Sequence, residues 1–310
     1  MGVSPSRGTM NSSQGVTSIS TPRLTWKEHP AICYLRVLKL RETALLTFIG
    51  ICTALVAGGG NPPLGLFLLT TLTIMIGSGG ANGLTNYLDR HVDGRMKRTQ
   101  RRMLPAGLIK PRRALLWALS LVVVALCMAF FLHLYAFLAA LTGVIAAVVA
   151  RKTWATHFLG SVSSVGPILV AWFAINPVID ATVILLTLII MLWVPVHVWN
   201  LMIAYRNDYL SAGVNMFPLD KSMRLTSQIS MVLSSIIVGL SFALWALGGF
   251  GLLYLTIAGI VGVLMLYGSY RIFREDSGAA SLRLFRLSAY PFLGLTFIGL
   301  VADTWVRMLL

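Results

Sequence analysis

Polar residues are scarce along this chain, and where they gather they cut it into apolar pieces of membrane-spanning length. Segments long enough to cross a hydrocarbon core of about 30 Å recur at roughly 40–58, 64–86, 114–132, 134–150, 158–176, 180–204, 226–247, 250–270 and 288–309. Nine such segments predict an all-α fold, a polytopic membrane helical bundle of about nine transmembrane helices. Four connections are short and carry chain breakers: Gly58-Gly59-Gly60-Asn61-Pro62-Pro63, His133-Leu134, Asn176-Pro177 and Gly248-Gly249. Residues 1–30 are rich in Ser, Thr, Gly and Pro and have no apolar run. That predicts a disordered N-terminal tail, not a cleaved secretory signal, ahead of a transmembrane domain over 31–310.

Composition supports the membrane reading. Of 310 residues 57% are hydrophobic and only 11% charged, against about 25% charged in a soluble domain. The net charge of +15 would suit a nucleic-acid partner. Its distribution assigns it to the bilayer instead, and no nucleic acid is expected. With nine spans, the N-terminus and every second loop share one side. That side receives 24 of the 25 Lys and Arg residues, and only Arg307 falls elsewhere. The four short turns have none. Basic loops mark the cytoplasmic face, which places the N-terminus inside and the C-terminus outside. The expected location is a prokaryotic cell membrane, or the mitochondrial inner membrane in a eukaryote. Eight of ten acids lie on the basic side too; Asp180 and Asp303 do not. Cys33, Cys52 and Cys127 have no metal-ligand spacing and predict neither a disulfide nor a zinc site.

One stretch breaks the apolar pattern with chemistry. It runs from Asn82 through Asn86, Asp89 and Asp93 and on into the basic run to Gly107. At about 100° per residue, positions 82, 86, 89 and 93 form one polar helix edge. Paired carboxylates with a carboxamide are oxygen ligands for a hard cation such as Mg²⁺. The Arg residues that follow, Arg98 and Arg102 among them, present bidentate forks for phosphate oxygens. The alternative is a solvated helix end followed by a topology-setting basic loop.

A second constellation runs from Trp193-Val194-Pro195-Val196-His197-Val198-Trp199-Asn200 through Arg206, Asp208 and Tyr209 to Lys221. Asp208 is a candidate metal ligand, or else a loop partner of Arg206. Arg206 and Lys221 are candidate anion contacts. His197 lies inside a span, where an ionisable side chain is a functional candidate, or else an interhelical hydrogen-bonding group. On an unbroken helix His197 and Asp208 would share a face about 16 Å apart. A third stretch, Gly160-Ser161-Val162-Ser163-Ser164-Val165-Gly166-Pro167, permits close helix packing or leaves room for a bulky ligand.

At these residues the chain resembles the UbiA-type intramembrane prenyltransferases and, within them, the haem-farnesylating branch. The run Thr85-Asn86-Tyr87-Leu88-Asp89-Arg90-His91-Val92-Asp93, continued by Met96, Arg98, Thr99, Arg102, Leu104, Pro105 and Gly107, is similar to the family's first motif. Trp193, Pro195, His197 and Trp199, then Arg206, Asp208, Tyr209, Ala212, Gly213, Met216 and Pro218, resemble its second. Leu38-Lys39-Leu40-Arg41 is similar to the family's start. Thr85 stands where the motif has Asn, Met103 where it has Pro, and Val196 and Asp220 also depart from it. The resemblance implies transfer of a farnesyl group from farnesyl diphosphate to a vinyl group of haem b, giving haem O and diphosphate. It implies Mg²⁺ held by Asn86, Asp89, Asp93 and Asp208, with Asp89, Asp93 and Asp208 catalytic. Substrate contacts would come from Lys39, Asn82, Asn86, Arg98, Arg102, His197, Arg206, Tyr209 and Lys221. Partners would be the two substrates and the lipid bilayer, with association with other haem-pathway enzymes left open. A quinone-precursor or lipid acceptor is the alternative.

Overall fold

The structure is a computed structural model that describes residues 30–149 and 155–310. The expected disordered tail, Pro30 apart, and the basic pair Arg151 and Lys152 lie outside the described residues. Among the described residues the regular structure is entirely helical. A short helix α1 (Pro30–Val37) precedes α2 (Leu40–Ala57), α3 (Leu64–Arg95), α4 (Pro111–Leu132) and α5 (Leu134–Val148). Then come α6 (Thr156–Ile175), α7 (Ala181–Ala204), the single-turn α8 (Arg206–Ser211), α9 (Met223–Leu247) and α10 (Leu252–Glu275). The chain closes with α11 (Gly278–Leu287), a π-helical stretch Ser288–Gly294, and α12 (Leu295–Leu309). Eight helical segments are long and apolar enough to cross a membrane, the last running from Gly278 to Leu309; α5 is a ninth, shorter one. The chain is thus an integral, multi-pass membrane protein of about the expected nine helices.

Two boundaries differ from the sequence reading in ways that matter. The second span continues to Arg95, so α3 has 32 residues and a length of about 48 Å. Its last turns overshoot the hydrocarbon core and carry Asp89 and Asp93 out at one end. The last span begins at Gly278, not 288. The polar run Arg283-Leu284-Phe285-Arg286 is already helical, and Pro291 sits in the π-helical stretch. A backbone lacking one N–H is accommodated there by wider hydrogen-bond spacing.

The helices form a closed ring: α2, α3, α4, α5, α6, α7, α9, α10 and α12 each pack on the next, and α12 returns to α2. Contact between α2 and α6 crosses the ring and divides it into two lobes. The lobe of α7, α9, α10 and α12 is solid, filled by large side chains such as Ile189, Ile237, Tyr254, Met265, Phe292 and Phe297, all at most 2% exposed. The lobe of α3 to α6 is not. Its inward positions are small, Gly77, Ala81, Ala125, Ala140, Gly160 and Ser163 among them, and they enclose a cavity. On α3 the small residues also allow close approach. A Cβ at Gly80 would lie 2.9 Å from the Val122 backbone nitrogen, and one at Gly83 would lie 2.8 Å from the Ala118 Cβ.

Each end of the bundle is stitched by its own contacts. At one end, Trp305 Nε1 donates to the Gly60 carbonyl at 2.9 Å. Buried Asp303 accepts from the backbone N–H groups of Gly251 and Tyr254 and pairs with Arg307 at 3.1 Å. The turns α2–α3 and α9–α10 therefore share this end with the C-terminus. Asp303 satisfies the otherwise orphaned first N–H groups of α10. At the other end the α3–α4 loop meets the α7–α9 segment: both oxygens of Asp208 accept from the backbone of Lys97 and Arg98 at 2.6 and 3.1 Å.

Candidate active site

The cavity in the open lobe has a volume of about 390 Å³ and runs along α3 from Thr73 to Asp93, about 30 Å of helix. Its deep part is apolar, walled by Ile74, Val122, Ala125, Val144 and Val170. Its mouth lies at the overshooting end of α3 and is charged. Lys39, Arg98 and Arg102 face Glu42, Asp89 and Asp93 there, three cations against three anions.

Asp89 and Asp93 are only 3% and 2% exposed, and burying a carboxylate is costly unless polar or charged neighbours offset it. Asp93 Oδ2 pairs with Arg102 Nη1 at 2.7 Å. The loop after α3 folds back to make this pair: Thr99 Oγ1 donates to the Asp93 carbonyl at 2.9 Å, and Arg102 N donates to the Thr99 carbonyl. Arg98 donates to the Tyr209 hydroxyl at 3.3 Å and lies over the Tyr205 and Tyr209 rings. Burial pushes the Tyr209 phenol above its ordinary pKa, while the charges of Arg98 and Arg102 pull the other way. Tyr209 is therefore a neutral hydroxyl in the cavity wall.

Lys39 separates α1 from α2 in a left-handed conformation, φ 51° and ψ 64°, uncommon for a residue with a Cβ. Its Nζ reaches Thr85 Oγ1 at 2.8 Å, and Thr85 in turn donates to the Asn82 carbonyl. Asn82 lines the cavity and donates from Nδ2 to Thr43 Oγ1 at 3.0 Å, which leaves its amide oxygen uncommitted by that bond. The threonine at the motif's asparagine position is thus a lysine holder.

Of the sequence candidates, Lys39, Asn82, Asp89, Asp93, Arg98, Arg102 and Tyr209 converge on the cavity. Five do not line it. Asn86 donates to the Val37 carbonyl at 2.6 Å and caps the end of α1. Asp208 is engaged with the loop backbone described above. Lys221 is half exposed, 3.5 Å from Asp220, and Arg206 starts α8 on the same outer segment. The His197 ring is stacked between Trp193 and Phe285, centroids 4.5 and 4.2 Å away, with Nδ1 2.9 Å from Ser288 Oγ. The Ser288 hydroxyl also lies 3.0 Å from the Phe285 carbonyl, and both contacts are satisfied together when His197 carries its proton on Nδ1. Trp193 Nε1 donates to the Ser288 carbonyl at 2.8 Å, so the motif's Trp and His grip one residue of the last span. The helix is also broken at Tyr205, φ −115° and ψ 30°, which removes the shared face expected for His197 and Asp208.

Two cavity residues escaped the sequence reading. Glu42 adds a third carboxylate at the mouth. His157, one residue into α6, lines the wall and accepts at Nδ1 from Trp199 Nε1 at 3.1 Å. Phe217 packs edge-on against both rings. Indole nitrogen is a donor only, so a neutral His157 carries its proton on Nε2. The Gly-Ser stretch serves both of its expected uses. Gly160, Ser163 and Ser164 line the cavity, while Gly166 packs against Gly143 of α5.

Comparison with known proteins places this geometry. The chain is 32% identical to the protoheme IX farnesyltransferase of Desulforudis audaxviator, over 89% of this chain and 90% of that one. It is 30% identical to the enzyme of the same name from Methylococcus capsulatus, over 91% and 95%. Among solved structures it resembles a digeranylgeranylglyceryl phosphate synthase, with a TM-score of 0.73 at 17% identity, covering 88% of this chain and 98% of that one. It also resembles a UbiA homologue from Archaeoglobus fulgidus bound to GPP and Mg²⁺, with a TM-score of 0.60 at 17% identity, covering 86% and 99%. Residues 44–294, most of the chain and the whole of the cavity's apolar wall, match the UbiA prenyltransferase family, and the chain belongs to that family.

Proposed function

We propose that the chain transfers the farnesyl group of farnesyl diphosphate to a vinyl group of haem b, giving haem O and diphosphate, at the cytoplasmic face of a cell membrane. The observation that carries this reading is the cavity's division into a charged mouth and a long apolar interior. A prenyl diphosphate has the same division. The haem acceptor is supported by the relatives named protoheme IX farnesyltransferase, which match this chain over nearly their whole length.

The mouth suits a divalent cation. Asp89 and Asp93 offer hard oxygen donors at the cavity wall. Among the described residues no third His, Cys, Asp or Glu joins them in a metal-binding cluster. Two carboxylates completed by phosphate oxygens and water are what Mg²⁺ favours over an all-protein cage. Bound there, Mg²⁺ would neutralise charge that develops on the departing diphosphate. The protein's own groups do the rest. Lys39, Arg98 and Arg102 donate to diphosphate oxygens, with Thr85 fixing the lysine and Tyr209 the first arginine. Those donors are in place before charge develops, which favours the transition state over the ground state. The C1–O bond breaks, its electron pair leaves on diphosphate, and the vinyl π electrons form the new bond to C1. Water adds to the second vinyl carbon and loses a proton. Ile74, Val122, Val144 and Val170 wall the isoprenoid and exclude water from C1 until then. In this reading Asn86, Asp208 and His197 hold the frame: the α1 cap, the loop clamp and the α7–α11 joint.

The test is direct. Incubated with Mg²⁺, farnesyl diphosphate and haem b, the purified chain should yield a haem whose mass has grown by a farnesyl group and a hydroxyl group. Prenylation of a quinone precursor or a glycerol-phosphate lipid, with haem b left unchanged, would overturn the acceptor.

A further inference from the structure

The ion pair between Arg102 and Asp93 occupies a point on which two requirements of the site collide. Asp93 is one of the two carboxylates suited to a divalent cation, yet its Oδ2 lies 2.7 Å from Arg102 Nη1. A guanidinium and a cation cannot share that oxygen closely, because like charges a few ångströms apart repel strongly where water is largely excluded. The backbone cannot relieve the conflict by drifting away. Thr99 ties the loop to Asp93, Ala106 N donates to the Arg102 carbonyl, and Asp208 holds the N–H groups of Lys97 and Arg98. What can move is the Arg102 side chain, which is 31% exposed against 3% for Asp93 and lines the cavity.

Charge balance says when it moves. Lys39, Arg98 and Arg102 already offset Glu42, Asp89 and Asp93 at the mouth. A divalent cation arriving alone would leave excess positive charge beside an arginine. A diphosphate arriving with it supplies the anion that both need. Its oxygens match the guanidinium fork better than a single carboxylate oxygen does.

We propose that Arg102 couples cation binding to diphosphate binding: its guanidinium competes with the cation for Asp93 Oδ2, and the diphosphate ends the competition by taking the guanidinium onto its own oxygens. The inference rests on the prenyl-diphosphate reading of this site. By linkage the effect is reciprocal, each ligand tightening the other. A cation alone is held weakly, and the charged chemistry of the mouth is assembled only with the prenyl donor in place.

Mn²⁺ serves as the probe, titrated into the purified full chain without diphosphate and followed by its electron paramagnetic resonance signal. Arg102→Gln, which removes the competitor, should bind Mn²⁺ about tenfold more tightly than the parent chain, within the range of ordinary coupling energies. The same variant should show a raised KM for farnesyl diphosphate. Arg102→Lys keeps the charge and should stay near the parent in Mn²⁺ affinity, which guards against a mere folding effect. Adding Asp93→Asn to Arg102→Gln should abolish the gain. If Arg102→Gln binds Mn²⁺ no more tightly than the parent while Asp93→Asn weakens binding, the coupling is overturned and the cation site stands. If Asp93→Asn leaves Mn²⁺ binding unchanged in both backgrounds, the cation site itself falls and the coupling with it.

Discussion

Thr85 occupies a position where the family motif carries asparagine, and its hydroxyl accepts from Lys39 Nζ at 2.8 Å. Thr85→Val keeps the shape and deletes the acceptor. A hydrogen bond to a charged group contributes about 1.5 kcal/mol or more, so the KM for farnesyl diphosphate should rise about tenfold with a smaller change in kcat; an unchanged KM would remove Lys39 from the diphosphate site. Asp89→Asn and Asp93→Asn are close in size to the parent residues and should each abolish haem O formation while the protein still inserts, measured as product mass against membrane-extracted protein. Parent-like turnover in both would sink the carboxylate site. The spacing of the acids was legible because a helix repeats every 3.6 residues. Which carboxamide accompanied them was not. Taking Asn82, Asp89 and Asp93 as the centre of the edge, Asn86 lies about 40° to one side and Thr85 about 60° to the other. Periodicity cannot say which flank meets the cavity. Packing decided it: α1 lies against the Asn86 side and takes its amide at the Val37 carbonyl. His157 had no motif to announce it, and only its place just ahead of the Gly-Ser stretch could have drawn notice.

Among the elements, α7 shows what periodicity misses. Its Trp-Pro-His-Trp run reads as a chemical motif, but the structure turns Trp193 and His197 toward Ser288, where the chain becomes π-helical. Two side chains on successive turns of one helix thus clasp the irregular turn of another. Nothing in the local sequence identifies a partner 91 residues away. His197→Ala would remove two stacked ring contacts, each worth about 0.5–1.5 kcal/mol, and one hydrogen bond of about 1 kcal/mol. The expected loss is about 2–4 kcal/mol of stability, read as a lower unfolding temperature in detergent, with the KM for farnesyl diphosphate little changed in the folded fraction. A haem-specific loss of affinity at parent stability would instead give His197 a direct role in acceptor binding. Asp208→Ala tests the other end of the same segment. Without the carboxylate, the N–H groups of Lys97 and Arg98 lose their acceptor, the loop that presents Arg98 and Arg102 loosens, and kcat/KM should fall through KM more than through kcat. The residues of the second motif were legible from the sequence. Their division between wall and frame was not, because the helix breaks at Tyr205 and the faces of α7 and α8 are no longer in phase.

For the whole molecule, hydropathy and charge together carried most of the architecture. The nine-helix count, the short turns and the meeting of the α3–α4 loop with the α7–α9 segment follow from them, and the contacts of Asp208 and Asp303 tie together the loops expected at each end. What neither carried was the asymmetry between a solid lobe and a hollow one. That depends on small residues facing each other across several helices, while each helix alone still reads as apolar. Orientation in the membrane is the remaining whole-molecule expectation. With 24 of 25 Lys and Arg residues on the basic side, the positive-inside rule predicts a cytoplasmic cavity mouth, where a charged diphosphate would be soluble and available. Arg307 is the one exception, and it is engaged locally by Asp303 and the Gly249 carbonyl, so it has little weight as a topology signal. Single cysteines at Gln100 and Asn61, both exposed and at opposite ends of α3, can report on this in a chain whose Cys33, Cys52 and Cys127 have been replaced by Ser or Ala. A membrane-impermeant maleimide applied to intact cells, with the outer barrier opened, should label Asn61→Cys and spare Gln100→Cys. Lysis should expose Gln100→Cys. The reverse pattern would place the cavity mouth outside, where cytoplasmic farnesyl diphosphate could not reach Asp89 and Asp93.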